Sequence, residues 1–365
     1  MASREQQVLA LIREDPMTPQ QAIASRLGIT RSAVAGHIMN LTQKGLIKGR
    51  GYVLSDTPFV AIVGGANVDI HGRSTHKLRS HDSNPGQVHI SPGGVARNVA
   101  ENLARLGIES RLVSAVGTDQ HGQMLTRMSR DAGIDVQYLH TIPGAQTSSY
   151  ISVLDDDGDM LLAINDMSII DELSVDLLRA QTAMLRRAAL IVVDCNLTAD
   201  TLAWLFESFG NVPIFADTVS TAKAPRLRDH LDRIHTLKTS SIEIEALLGG
   251  KAQTEAQLKK LTKVLHARGT KRVFITRGAK GTYYSDGQHA GALGPHHKKR
   301  KIQNAGGAGD AFLAGLAYSH VEEWDLLKSV SFALAAAELT LEHVGTNHPS
   351  MSLANVQEIM EQQSA

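Results

Sequence analysis

The amino-acid sequence predicts an α/β fold: a doubly wound, mainly parallel sheet with one added β hairpin, preceded by a small α+β domain. Three observations carry that expectation. From Phe59 onward, short apolar runs (FVAIVGGANVDI, RLVSAVG, ALIVVDCN, VPIFADTV, IHTLKTS and KRVFITRG) alternate with helical patterns, as βαβ units with helices on both faces of a sheet do. The stretch SSYISVLDDDGDMLLAIND instead sets two alternating runs on either side of Asp157-Gly158, which is a hairpin signal. Residues 1–56 have a third texture, brief amphipathic stripes punctuated by proline and glycine. A chain of 365 residues suits a small domain, 1–56, and a larger one, 59–365, with Ser55-Asp56-Thr57-Pro58 as a short linker.

In the first domain Val8, Leu11 and Ile12 recur at helical spacing, and that helix ends at Asp15-Pro16. Thr18 and Pro19 read as N-cap and first residue of a second helix whose apolar face is Ala22, Ile23 and Leu27. Gly28 breaks it, and Thr30 caps a third helix striped by Val34, Ile38 and Leu41. The following IKGRGYVL reads as a hairpin with Lys48 and Arg50 about its tip, so the order is that of a helix-turn-helix with a wing. The third helix would turn Arg31, Ser32, Ala35, His37 and Asn40 outward. Arg31, Ser32, His37, Lys48 and Arg50 are therefore the candidate contacts to DNA phosphates and base edges. The alternative is a small domain used for dimerisation or for regulation through protein contact.

Lysine plus arginine, 37, equals aspartate plus glutamate, 37. That balance excludes a globally basic coat for nucleic acid or an anionic membrane and leaves only a local basic face. The single cysteine, Cys195, sits in the apolar run ALIVVDCN, so it reads as a buried, inert thiol in a reducing compartment. MASREQQ lacks the apolar core of a signal peptide, and no uncharged apolar run is long enough to span a bilayer. A cytoplasmic protein with no membrane partner is expected.

Three glycine-bearing elements carry the chemistry. Asn304-Ala305-Gly306-Gly307-Ala308-Gly309-Asp310 runs into the helical AFLAGLAYSH, so its N–H groups and the helix dipole can hold phosphate charge. No Lys-Ser/Thr pair follows, so it is not a Walker A loop. Asp310 at the helix start is either a general base or a plain N-cap. Ser91-Pro92-Gly93-Gly94-Val95-Ala96-Arg97-Asn98 enters another helix with Asn98 in its first turn. Gly64-Gly65-Ala66-Asn67-Val68-Asp69 puts an amide and a carboxylate on one side of a strand end, fit to grip sugar hydroxyls or else only a tight turn. Asp155-Asp156-Asp157 before Gly158 reads as a solvated turn rather than a metal site. The run His296-His297-Lys298-Lys299-Arg300-Lys301 reads as a solvated loop, or else as help in holding phosphates.

In this order and spacing the elements resemble the ribokinase/PfkB carbohydrate kinase family over everything after residue 58. GGVARNVAENLARLG resembles its N-terminal signature and NAGGAGDAFLAG its C-terminal one. DSNPG at Asp82 to Gly86, TSSYISVLDDDGDMLLAINDM, VVDCN and FADTVS resemble its pseudouridine kinase branch. The resemblance implies a ribokinase-like domain with a small β lid from about 71–91 and 148–166. It implies ATP-dependent phosphorylation of the 5′-hydroxyl of a nucleoside, pseudouridine or a related ribonucleoside. Asp310 would be the base, and Gly307, Ala308 and Gly309 the anion hole. Asn67, Asp69, Gly93, Gly94 and Asn98 would hold the ribose, while Ser149, Asn165 and Asp166 would touch the nucleobase. Lys238, Thr276, Gly278 and Gly281 would join Gly307 and Gly309 at ATP. Glu243 would organise Mg²⁺ through water, a monovalent cation such as K⁺ is a further expectation, and a homodimer would form through the lid.

Two departures stand out: Gly306 replaces the family's threonine before the anion hole, and Ser240 its asparagine three residues before the glutamate. Two other functions stay open, a kinase for a free sugar such as ribose and a ligand-sensing transcriptional regulator built on a kinase fold.

Overall fold

The computed structural model describes residues 3–48, 53–54, 57–296 and 302–361. The chain divides into two units, Met1–Pro58 with Thr182–Arg187, and Phe59–Gln181 with Ala188–Ala365.

In the first unit, Ser3 and Gln6 form a capping box that starts α1 (Arg4–Glu14). The second helix, α2 (Gln20–Leu27), begins one residue later than the sequence suggests. Pro19 occupies the N-cap, and the Thr18 hydroxyl is turned back onto Asp15 at 2.9 Å instead of capping the helix. Gly28 ends α2 in the left-handed region at φ 64°, and Thr30 caps α3 (Arg31–Gln43) by accepting from the Ala33 N–H. Val8, Ile12, Ile23, Ala24, Val34, Leu41 and Ile47 form the core of this unit. β1 (Ile47–Lys48) and β2 (Val53–Leu54) pair antiparallel as the expected hairpin. Arg31, Ser32 and Lys48 are exposed and His37 is half-buried. Arg50 lies outside the described residues.

The second unit opens with β3 (Phe59–Val63), β4 (Asn67–Ser74), β5 (Gly86–Gly93), α4 (Val95–Arg105), β6 (Glu109–Gly117), α5 (Gln120–Asp131) and β7 (Leu139–Ile142). There follow β8 (Ser149–Leu154), β9 (Met160–Asp166), α6 (Val175–Arg179), then α7 (Thr182–Leu185), which groups with the first unit. Next come β10 (Leu190–Asp194), α8 (Ala199–Ser208), β11 (Ile214–Asp217), β12 (Thr236–Ser240), α9 (Ser241–Leu248), α10 (Glu255–Ala267) and β13 (Arg272–Thr276). The chain closes with β14 (Thr282–Ser285), β15 (Ala290–Leu293), α11 (Ala308–Val321), α12 (Leu326–Leu341) and α13 (Leu353–Glu361).

Nine strands form one sheet in the order β15-β14-β13-β12-β11-β10-β3-β6-β7. Every pairing from β13 to β7 is parallel, and β14 and β15 add an antiparallel edge. All residues of β3, β10 and β11 are buried, as strands covered by helices on both faces must be. The chain runs outward from β3 through β6 and later restarts at β10 on the other side of β3. The switch point of this doubly wound sheet therefore lies between β3 and β10, where a crevice opens at the strands' C-terminal ends.

The run FVAIVGGANVDI, continuous in the sequence, breaks at Gly64-Gly65-Ala66. Its second half leaves the main sheet as β4, so Asn67 and Asp69 open a lid strand rather than close β3. The lid sheet is ordered β5-β4-β8-β9, and the β8–β9 connection is the expected Asp155–Asp159 turn, with Gly158 at φ 93°. Among the described residues no helix is long and apolar enough to cross a membrane.

One face of the main sheet, through Val60, Ile62, Leu190, Val192, Phe215 and Phe274, packs on α4, α11 and α12. α11 and α12 approach closely at Gly315, where an added Cβ would stand 2.6 Å from the Ala333 Cα. Alanine has the better helix propensity by roughly 1 kcal/mol, yet here it forces two helices apart. Gly315→Ala is expected to lower unfolding stability by about 1–3 kcal/mol, the cost of overpacking. A urea titration yielding an unchanged or higher midpoint would refute the close approach.

Candidate active site

The switch point is organised by a buried carboxylate. Asp194 ends β10 and accepts the N–H groups of Gly65 at 2.8 Å, Ala96 at 3.1 Å and Asn196 at 2.8 Å. A side chain at Gly64 would collide with this carboxylate, which explains the glycine. Burial pushes the Asp194 pKa up to about 6 against the pull of those N–H donors, with Asp217 adding repulsion. The turn after β3 and the start of α4 are thus tied to one anchor.

Asp310 lies opposite. The N-cap of α11 is Gly307, at φ 77°, and a Cβ there would strike the Thr346 carbonyl. Asp310 is the third residue of the helix, and its carboxylate turns away from the helix N–H groups to accept Asn98 Nδ2 at 2.9 Å. The N-cap reading of Asp310 is thereby replaced, and the N–H groups of Ala308, Gly309 and Asp310 are left without intrahelical acceptors, as at any helix start. They form an anion-binding end beside a buried carboxylate. Burial lifts the Asp310 pKa to about 7; Lys238 and Asn98 pull it down, while Asp217 and Asp194 push it up.

Lys238, on β12, reaches under this helix start. Its Nζ bonds Asp217 Oδ2 at 2.8 Å, and a Cβ at Gly309 would lie 2.7 Å from it. Burial opposes its charge, but Asp217, Glu243 and Asp310 outweigh burial and raise its pKa. Asp217 is held in turn by the Val219 N–H at 2.7 Å, and Val219 takes φ 62°, a strained region for a β-branched residue. Cys195 is buried, its thiol pushed well up by burial, so it is inert as expected.

On the lid side Asn67 Nδ2 donates to Asp69 Oδ1 at 2.7 Å, and both residues are buried. Burial raises the Asp69 pKa despite this donor. Side chains at Gly93 or Gly94 would strike the Asp69 carboxylate or the Gly65–Asn67 backbone. The register Ser91-Asp69-Tyr150-Asn165 sets Asn165 and Tyr150 on the face of Asp69, with His71 and Ser152 in the next row of that face, their Nδ1 and Oγ 2.6 Å apart. Ser149 pairs with Val68 and Asp166 with Ser149, so strand alternation turns both to the opposite face, and Asp166 accepts from Ser168. On the face of Asp69, Ser148, one residue earlier, has a buried hydroxyl without a partner among the described residues, and the alternation in SSYISV sets it on the same face as Tyr150.

On the other side Thr276 ends β13 with its hydroxyl on the Thr239 carbonyl at 3.3 Å. Gly278 and Gly281 follow at φ 57° and 76°. Thr276, Gly278, Ser240, Ile242, Arg277 and Lys280 line an open groove of about 490 Å³. Glu243 Oε2 accepts from Thr218 Oγ1 at 2.6 Å and from the Ser240 N–H at 2.8 Å, leaving Oε1 available for a hydrated cation. Ser240, a departure in the sequence, is the N-cap of α9 in a capping box with Glu243, so it fixes that carboxylate. At Gly306 a Cβ would come 3.2 Å from Asn304 Oδ1, the atom that accepts the Gly306 N–H. Asn304 thus crowds the space a threonine would need. Among the described residues no group of three or more His, Cys, Asp or Glu side chains forms a metal cluster. His296 is not part of a solvated loop: it is buried between Glu338 at 2.8 Å and Ser331 at 2.9 Å. Residues 297–301 lie outside the described ones.

Comparison with known proteins places this geometry. Residues 57–353 match the pfkB family of carbohydrate kinases, and residues 1–48 match a winged helix-turn-helix DNA-binding family. The chain is 40% identical over 309 residues to the pseudouridine kinase of Escherichia coli (strain K12), covering 84% of this chain and 98% of that protein. It is 38% identical over 357 residues to that organism's uncharacterized sugar kinase YeiI, covering 97% of this chain and 98% of that one. Among solved structures, a carbohydrate kinase from Agrobacterium tumefaciens aligns with TM-score 0.74 at 27% identity, covering 84% of this chain and 98% of that one. Arabidopsis thaliana ribokinase complexed with ribose and ATP aligns with TM-score 0.74 at 22% identity over 84% of this chain and 99% of that chain, a likeness of fold.

The raised pKa of Asp310 has a stability consequence. Because its folded value, about 7, exceeds the unfolded 3.8, its contribution is fully present below the unfolded value and is lost as pH rises through 7. Asp310→Asn removes the ionisable group. Its melting temperature should exceed the wild type's at pH 8, with the gap closing toward pH 4; a lower melting temperature at pH 8 would contradict the burial cost.

Proposed function

We infer the reaction from one premise: the chain belongs to the pfkB family of carbohydrate kinases and is a phosphotransferase acting on a hydroxyl acceptor. The acceptor we propose is the 5′-hydroxyl of a ribonucleoside, pseudouridine above all, and the donor is ATP with Mg²⁺. The observation that carries this reading is the polar face of the lid. Asp69, Asn67, Tyr150 and Asn165 line one side of the lid sheet, offering a clamp for ribose hydroxyls and, beyond it, amide and phenol groups for a base. A free sugar such as ribose would leave Tyr150 and Asn165 without a role.

In the proposed reaction Asp310 takes the proton of the 5′-hydroxyl as its oxygen attacks the γ-phosphorus, and the bond to the leaving ADP breaks. A carboxyl with a pKa near 7 is matched to that work at neutral pH. The N–H groups of Ala308, Gly309 and Asp310 and the Lys238 ammonium face the charge on the transferring group. Thr276 and Gly278 line the groove that would take the nucleotide phosphates, with Gly281 just beyond Lys280. Mg²⁺, when bound, would neutralise phosphate charge, and Glu243 through Oε1 is the residue that would orient its waters. Intact Asp310 and the anion-binding helix start speak for an enzyme over a pure sensor, which would need neither.

Turnover on a panel of nucleosides and free sugars with Mg-ATP tests this directly. A ribonucleoside should be used in preference to ribose. A 2′-deoxynucleoside should lose about 1–3 kcal/mol, roughly tenfold to hundredfold in kcat/KM, because Asp69 or Asn67 is left unpaired. Asp310→Asn should lower turnover by about 10²- to 10⁴-fold. Preference for ribose, or equal use of the deoxynucleoside, would overturn the substrate assignment.

Two further readings belong to the whole chain. The reverse face of the lid carries Ile90, Ile70, Ile151 and Ile164 in one row, and Val88, Gly72, Val153 and Leu162 in the next. Val88 is 70% exposed and Ile164 63%, and a second copy would cover such a surface. The first unit is proposed to bind DNA through Arg31, Ser32, His37 and Lys48. A dimer would bring two recognition helices to a two-fold site. Ile164→Lys should yield monomers in sedimentation velocity and weaken binding to a genomic fragment, itself steeply salt-dependent. A variant that remains dimeric would remove the lid from the interface; a wild type that binds no fragment at low salt would leave the first unit a protein-contact module.

A further inference from the structure

We propose that Arg97 is a positioning residue for the catalytic base: it holds the carbonyl oxygen of the Asn98 side chain and so keeps that amide turned toward Asp310. Arg97 is buried to 1% exposure in the first turn of α4. Its guanidinium donates to Asn98 Oδ1 at 3.2 Å, to Asn347 Oδ1 at 3.2 Å and to Ser129 Oγ at 3.5 Å, and it pairs with Glu101 one turn on. Glu101 is shared with Arg105 at 2.7 Å.

The direction of the Asn98 amide follows from donor chemistry. A guanidinium has only donors, so the atom facing it must be the amide oxygen. The opposite end, Nδ2, then points at Asp310 Oδ2 at 2.9 Å and favours the ionised carboxylate. The Thr346 hydroxyl, 3.4 Å from Asn98 Oδ1, can either donate or accept and so cannot set the direction. Without Arg97 the amide is free to turn its oxygen to Asp310, an arrangement that only the protonated, inactive acid can satisfy.

The same guanidinium orients a second amide. By facing Asn347 Oδ1 it leaves Asn347 Nδ2 to donate to the Asn98 carbonyl at 3.0 Å. That bond docks the segment whose Thr346 carbonyl lies over Gly307, so one buried cation steadies both the base and the anion-binding helix start. The charged groups facing Asp310 itself are Lys238 from β12, Asp217 from β11 and Asp194 from β10. Arg97 carries its charge against Glu101, with Asp69 of β4 as a more distant partner whose ionised form it also favours, and acts on Asp310 through Asn98.

The test is the pH profile of kcat/KM with pseudouridine and Mg-ATP. It presupposes Asp310 as base, which the loss of turnover in Asp310→Asn establishes separately. Arg97→Lys keeps a buried cation for Glu101 but lacks the fork that reaches two amides. The double variant Arg97→Met/Glu101→Met removes both buried charges and guards against misfolding of a single change. In each, the acidic limb should move up by about one pH unit, a roughly tenfold loss below the limb that recovers at alkaline pH. Arg105→Met, which touches Glu101 but not Asn98, should leave the limb in place. A loss of rate equal at every pH, or no change of limb in either Arg97 variant, would reduce Arg97 to a structural ion pair and overturn the proposal.

Discussion

The carboxylate of Asp194 is the constraint on which the site depends. In a doubly wound sheet the crevice at the switch point exists because two neighbouring strands send their chains in opposite directions, and nothing in the sheet itself holds the diverging loops together. Asp194 does so by accepting three backbone N–H groups, from the turn after β3, the start of α4 and the turn after β10. An uncharged side chain could satisfy at most part of this set, and a longer one would not fit against Gly64. The price is a buried charge whose pKa is raised, tolerated because each N–H it accepts would otherwise be buried and unpaired.

Around that anchor Asp217, Glu243 and Asp310 face one buried cation, Lys238, while Asp217 and Asp194 add their repulsion to Asp310. Burial, helped by the repulsion of Asp217 and Asp194, leaves Asp310 poised near neutrality, since Lys238 is bonded to Asp217 and only faces Asp310. The Val219 backbone holds Asp217 in this role at a conformational cost of about 1–3 kcal/mol. Strain here keeps the lysine's partner fixed, so the ammonium stays beneath the start of α11 instead of closing on Asp310.

Much of this was legible in the sequence, and the rest was hidden for physical reasons. The alternation of apolar runs with helices foretold the main sheet, and the glycines before α4 and α11 foretold two helix starts with room for a ligand. Asp194 and Asp217 were read only as the polar ends of VVDCN and FADTVS, because what makes them matter is burial against other strands. Ser149 and Asp166 fall on the face opposite Asp69, which the sequence pattern alone does not disclose, since a period of two needs only one slip to reverse a face. Asn347 lies 250 residues from Arg97, a contact that no local pattern can disclose. Ser240 and Gly306 looked like losses; beside Glu243 and Asn304 they are a cap and an accommodation.

The lid shows how one pattern serves two ends. Along β4, β5, β8 and β9 the odd and even residues face opposite ways, so the strand that presents Asp69 to a substrate must present Ile70 to the other side. A sheet of four strands standing apart from the main one cannot bury both faces in its own domain. The proposed substrate on the polar face and the proposed second copy on the apolar one would complete it from both sides. Any contact that flattens or shifts the apolar rows moves Asp69, Tyr150 and Asn165 with them, because each shares a backbone with its apolar neighbour. In the proposed dimer, substrate grip and subunit pairing would therefore be mechanically joined through the lid, with no relay of side chains between them.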